Sequence, residues 1–150
     1  MSDWRSYFTF QGRLNRKPYW LMNVIMFGVA LVAFIVIGML AGLLPLFWIL
    51  GAPLFVAFVW AGLAIGARRL HDRNKSAWWL LPYQIVPAIL GVPQTLLERG
   101  GGIPAANLLG LISFAISMWA LADLGFMKGK PGPNRFGDDP LGPAVHEVFA

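Results

Sequence analysis

From Pro18 to Ala67 the chain runs for 50 residues without one charged side chain. As a single helix that run would reach about 75 Å, whereas the hydrocarbon core of a bilayer is about 30 Å thick. The run must therefore fold back on itself. Gly42-Leu43-Leu44-Pro45 is the natural reversal, because proline cannot continue a helix. Composition agrees: hydrophobic residues make up 57% of the chain and charged residues 13%, against about 45–50% and 25% in soluble domains. A disordered chain is excluded and a soluble domain is disfavoured.

Four spans follow, near 19–43, 46–67, 77–97 and 107–126. The first is too long for a signal-peptide core and is read as a retained anchor. The third contains Pro82, Pro87 and Pro93. Membrane helices tolerate prolines where neighbouring groups take up the freed carbonyls. Four full crossings put eleven of the 12 Lys and Arg on one side and Arg99 alone on the other. A re-entrant third segment would leave nine against three, a weaker asymmetry. By the positive-inside rule both termini are cytoplasmic. Tyr19, Trp20, Trp78, Trp79 and Tyr83 fall at that boundary, and Phe47 and Trp48 at the opposite one. The expected architecture is an all-α membrane protein of four transmembrane helices in two hairpins, N-in and C-in. An interfacial N-terminal segment and a turn-rich cytoplasmic tail complete it. Residues 1–140 form one transmembrane domain and 141–150 a tail.

The net charge of +5 would suggest nucleic acid in a soluble domain. Here the cations sit in short clusters between apolar runs, so the membrane surface is the expected partner and nucleic acid is not. The chain has no cysteine, and its two histidines, His71 and His146, are far apart. Neither a metal site nor a cofactor is expected. Gly129-Lys130-Pro131-Gly132 lacks the Gly-Lys-Ser/Thr of a phosphate-binding loop. Ser113 and Ser117 share a helix face without a paired base, so packing explains them better than catalysis. Nothing here marks an enzyme.

Asp123 is the one acid well inside an apolar run. Such a carboxylate is costly unless paired, and Arg68 or Arg69, at similar depth, is its expected partner. Gly38/Gly42 and Gly62/Gly66 form two small-xxx-small pairs suited to close packing with another helix or another copy.

Arg68-Arg69-Leu70-His71-Asp72-Arg73-Asn74-Lys75-Ser76, followed by Trp78-Trp79, is the densest polar segment, with four cations beside two indoles. Together with Arg13, Arg16 and Trp20 it suits anionic lipid headgroups or a protein partner. Asp72 would orient an arginine or fix the His71 tautomer. Asn134, Arg135 and Asp139, in a turn-rich stretch around Phe136, are expected to dock against this basic face. The alternative function is a small transporter or channel component acting as an oligomer, since proline- and glycine-interrupted spans can expose backbone to a cavity.

Three segments also carry a family resemblance. Phe10-x-Gly12-Arg13-x-x-Arg16-x-x-Tyr19-Trp20, Arg68-Arg69-Leu70-His71-Asp72 and Gly132-x-Asn134-Arg135-Phe136-Gly137-x-Asp139-Pro140 appear in that order. They resemble the motifs of the domain of unknown function 805 family over residues 7–140. Asn74 and Ala77 stand where that family commonly has glycine. The resemblance implies a small bacterial inner-membrane protein, and it carries over no catalytic residue. All three motifs fall on the side that the charge asymmetry makes cytoplasmic, which points to one assembled face.

Overall fold

The computed structural model describes residues 7–142, without the side chains of Pro45 and Leu50. Arg5, His146 and most of the expected tail lie outside those residues. Four long helices form two antiparallel hairpins. In the first, α1 (Arg16–Leu43) turns through a 3-10 turn at Pro45–Phe47 into α2 (Trp48–Asp72). In the second, a 3-10 turn (Ala77–Trp79) and a π-helical turn (Leu81–Ile85) lead into α3 (Val86–Arg99), and α4 (Ile103–Leu121) returns. A second π turn, Ala122–Phe126, ends α4. All four spans are long and apolar enough to cross a membrane, and the described residues hold no strand.

Asn15 starts α1: its side chain accepts the Lys17 N–H at 3.1 Å, and Pro18 occupies the first turn, where no amide donor is needed. The reversal at Pro45 falls where the sequence places it. The third span is helical from Ala77 to Arg99, 23 residues, or about 34 Å, which suffices for a full crossing. Pro82 lies in its π turn and Pro87 in the first turn of α3, so the wide turn absorbs the missing donors there.

The main departure from expectation lies at the end of α2. Arg68 through Asp72 are helical rather than loop, because no proline or glycine interrupts 67–72. The helix stops in a Schellman turn. The Lys75 N–H donates to the Leu70 carbonyl and the Asn74 N–H to the His71 carbonyl, both at 2.9 Å, with Asn74 left-handed at φ 58°. Asn is the usual second choice there after glycine, which accounts for Asn74 standing at a position where the resembled family commonly has Gly.

The buried core is concentrated at this end. Ala67, Leu70, Leu80, Tyr83, Ala120 and Leu124 form one cluster, and Leu14, Met22 and Ile65 a second. Away from it the surface is apolar: Phe27 is 70% and Leu43 78% exposed, as suits helices whose solvent is acyl chain. The hairpins meet chiefly where the 122–126 π turn packs on α1 and α2 and where the 77–79 turn packs on α2. Gly66 lets Leu80 approach α2 closely, and Gly62 faces Met26 of α1. Nothing stands near the missing Cβ positions of Gly38 and Gly42, so that pair packs against no described helix.

Asn74→Gly removes the left-handed strain of a non-glycine residue and a buried amide oxygen without a hydrogen-bond partner. Unfolding in detergent is expected to show a gain of about 0.5–1 kcal/mol, with Asn74→Ala losing about as much.

Candidate functional site: an ionic clasp at the motif end

Asp72, the last residue of α2, is the centre of the site. One carboxylate oxygen accepts from Arg13, from Nε at 3.3 Å and Nη2 at 3.1 Å; the other accepts from Arg69 Nη1 at 2.6 Å. The helical continuation of α2 makes this possible, since Arg69 and Asp72 are three residues apart on one face. All three side chains are almost fully enclosed, and Arg69 has no exposure at all.

A buried guanidinium is tolerated only when its donors are used. Arg69 donates from Nε to the Leu124 carbonyl at 2.7 Å, from Nη1 to the Leu14 carbonyl at 3.3 Å, and from Nη2 to the Met127 carbonyl. Arg13 donates to the carbonyls of Gly132 and Lys130, each at 2.6 Å. Two arginines thus bind the N-terminal segment, α2, the end of α4 and the tail through one carboxylate. Gly129 packs so closely on the Asp72 carboxylate that a Cβ there would collide with it. The Lys130 N–H donates to the Asp72 carbonyl at 2.9 Å.

The tail docks alongside. Phe136 stacks on His71 with ring centroids 3.8 Å apart, and Asn134 Nδ2 donates to the His71 carbonyl at 3.0 Å. His71 Nδ1 faces the Gly12 carbonyl at 3.2 Å; because a carbonyl only accepts, Nδ1 carries the proton. Gly12, not Asp72, therefore sets the tautomer. Arg135 lies over the Phe136 ring and donates to the Asn74 carbonyl. Asp139 accepts from the N–H groups of Gly132 at 2.7 Å and Leu141 at 3.0 Å. Gly132 adopts φ 78°, a left-handed turn that favours glycine.

Asp123 forms a second joint. The expected pairing with Arg68 or Arg69 is replaced: its carboxylate binds Arg73 and, at 2.9 Å, Lys75 Nζ, and it accepts from Tyr83 Oη at 3.1 Å. Arg69 is committed to Asp72 and the Leu124 backbone. The Arg68 carbonyl accepts the Leu14 N–H at 3.0 Å. The cause is register. The π turn at 122–126 places Asp123 fully inside, and the Schellman turn swings Arg73 and Lys75 back over it. Tyr83, expected at the interface, is buried for the same reason: its own π turn aims it at Asp123, where its hydroxyl also accepts from Trp119 Nε1 at 3.2 Å.

Of the sequence-derived residues, Arg13, Arg69, His71, Asp72 and Asn134 converge and face inward. Arg16 donates to the Phe126 carbonyl at 3.3 Å, and Trp20 Nε1 to the Gly125 carbonyl at 3.1 Å. Trp78 stands 74% exposed. Sequence reasoning missed Arg73, Lys75 and Tyr83 as partners of Asp123, and Gly129 as the close approach to Asp72. The first two stood among the four cations of the 68–76 segment, read as facing headgroups and not Asp123. Among the described residues no group of acids and histidines is placed to hold a metal ion.

Four apolar spans closed at one end by buried ion pairs define a small polytopic membrane protein. Residues 7–138 match the family model described as Protein of unknown function (DUF805), and the chain belongs to that family. The matched stretch contains nearly all of the three clasp segments. Among its relatives in Escherichia coli, Uncharacterized protein YiiR is 29% identical, covering 88% of this chain and 86% of its own. Inner membrane protein YhaH is 30% identical, covering 72% of this chain and 93% of its own. Inner membrane protein YhaI is 27% identical over 93% of this chain and 92% of its own. No solved structure matches the chain.

Two outcomes follow from the clasp. Asp72→Asn leaves two buried guanidinium groups without a counter-charge and is expected to lower stability in detergent by about 3 kcal/mol or more; an unfolding midpoint like the wild type's would mean the backbone carbonyls suffice. The Asp139 carboxyl is held below its ordinary value by the N–H groups of Leu141 and then Gly132, with Arg13 adding a smaller pull. A depressed folded pKa contributes stability in full above the unfolded value of about 3.9 and loses it as pH falls through the folded value. The tail is therefore expected to stay protected from protease at pH 5 and to become cleavable only below about pH 4.

Proposed function

We propose that this protein is a non-enzymatic integral membrane protein of the bacterial inner membrane that engages anionic lipid headgroups at its motif face. Both termini and that face are cytoplasmic in this reading, supported by the placement of eleven of 12 Lys and Arg on one side. The inner-membrane assignment is supported by the names of the relatives YhaH and YhaI.

The observation that carries the reading is the sorting of the cations. Arg13 and Arg69, with Asp72, are consumed by the clasp and cannot meet a ligand without unfolding it. They, His71 and Asn134 are the frame. Arg16, Lys17, Lys128, Lys130 and Arg135 remain exposed around that frame. Trp20 and Trp78 are exposed as well, and indoles of this kind favour the depth at which headgroups lie. A rigid platform with its cations turned outward suits an anionic leaflet better than a reaction centre, which needs accessible, unpaired acid–base groups.

Native mass spectrometry of protein extracted gently from mixed-lipid vesicles tests this. Phosphatidylglycerol is expected to be retained in preference to phosphatidylethanolamine, and less so as salt rises. Equal retention of the two lipids, or release of a bound protein in place of lipid, would overturn the headgroup reading.

A further inference from the structure

After the pairings are assigned, two groups of four stand out among the described cations. Arg13, Arg69, Arg73 and Lys75 are neutralised by Asp72 and Asp123. Arg16, Lys17, Lys128 and Lys130 have no carboxylate within ion-pair distance among the described residues, and all four line one cleft of about 370 Å³. Of the two acids on its wall, Asp72 is saturated by arginines, and Asp139 spends its oxygens on the backbone of Gly132 and Leu141. Four positive charges therefore line a cleft whose one carboxylate outside an ion pair is Asp139, and the balance on its wall stays positive.

We propose that this cleft, between the start of α1 and the tail, binds one phosphate group, that of a phosphatidylglycerol-type headgroup. The inference rests on the headgroup reading above and names where on the face the contact is made. Its volume lies within the range of small-ligand sites. Lys17 stands in the first turn of α1, a 28-residue helix whose positive dipole end adds to the cationic field. Lys128 and Lys130 come from a segment the clasp has already fixed: the Lys130 N–H is held by the Asp72 carbonyl and its own carbonyl by Arg13. Their backbone is thus ordered before any ligand arrives, which lowers the cost of binding. Pro131 and Leu141 give the wall an apolar side for the glycerol portion. Trp20, in the first turns of α1, is tied to the Gly125 carbonyl, and an indole there favours the interfacial depth at which lipid phosphates lie.

The test compares wild type, Lys17→Gln/Lys128→Gln and the control Arg99→Gln at the other end of the hairpin. Neither lysine side chain makes a hydrogen bond or ion pair in the clasp, and matching melting curves check that the fold is kept. Short-chain phosphatidylglycerol and inorganic phosphate are the probes, titrated separately and in competition. Wild type and Arg99→Gln are expected to bind one phosphatidylglycerol per chain, and the double variant about 30-fold more weakly, the effect of losing two headgroup-level cations. Competition by inorganic phosphate at one per chain, with no retained lipid, would support the cleft as a phosphate site while overturning its lipid source. Equal phosphatidylglycerol binding by all three proteins would overturn the cleft and leave the headgroup reading standing. Failure of wild type to bind either probe would overturn both.

Discussion

The Asp72 carboxylate, shared between Arg13 and Arg69, is the interaction on which the rest of the motif end depends. In a bilayer the hydrophobic effect does not hold helices together, because lipid tails are as apolar as the side chains they would replace. The two hairpins accordingly have little reason to associate along their length, and most of their contact is at one end. There the cost of burying charge is met by geometry: every oxygen of one carboxylate and most donors of two guanidinium groups are used. Taking away any one of the three would leave the others charged and enclosed.

Asp123 repeats the solution at the second joint with different partners. Arg73, Lys75 and Tyr83 reach it from the connection after α2 and from the third span, so this joint links the same hairpins through other segments. The two acids divide the cations between them and thereby determine which remain outside. The outward charge of the face is a consequence of its interior.

Much of this was legible in the sequence. An uncharged run too long for one crossing, interrupted by Pro45, specifies the first hairpin, and the need to pair an acid in an apolar run singles out Asp123. Motif residues such as Arg13, Asp72 and Asn134 are visible as one group because charge asymmetry puts them on one side. Partner choice was not legible. It depends on helical phase, and a π turn shifts phase by one residue without any mark in hydropathy. The prolines at 82 and 87 signal a disturbance in the third span but not its register, and nothing comparable precedes Asp123. The continuation of α2 to Asp72 was hidden for another reason: a charged, interfacial stretch reads as loop until its burial is known.

The clasp also imposes an order on synthesis. Arg69 and Asp72 lie on one helix, so they neutralise each other as soon as α2 winds, long before the chain is finished. Arg13 has emerged earlier still, yet two of its carbonyl partners, at Lys130 and Gly132, are among the last described residues to leave the ribosome. The nascent protein therefore holds Arg13 in waiting while all four spans are made. Only the arrival of the final motif locks the first one in place, so the clasp cannot close until every span between them has been made.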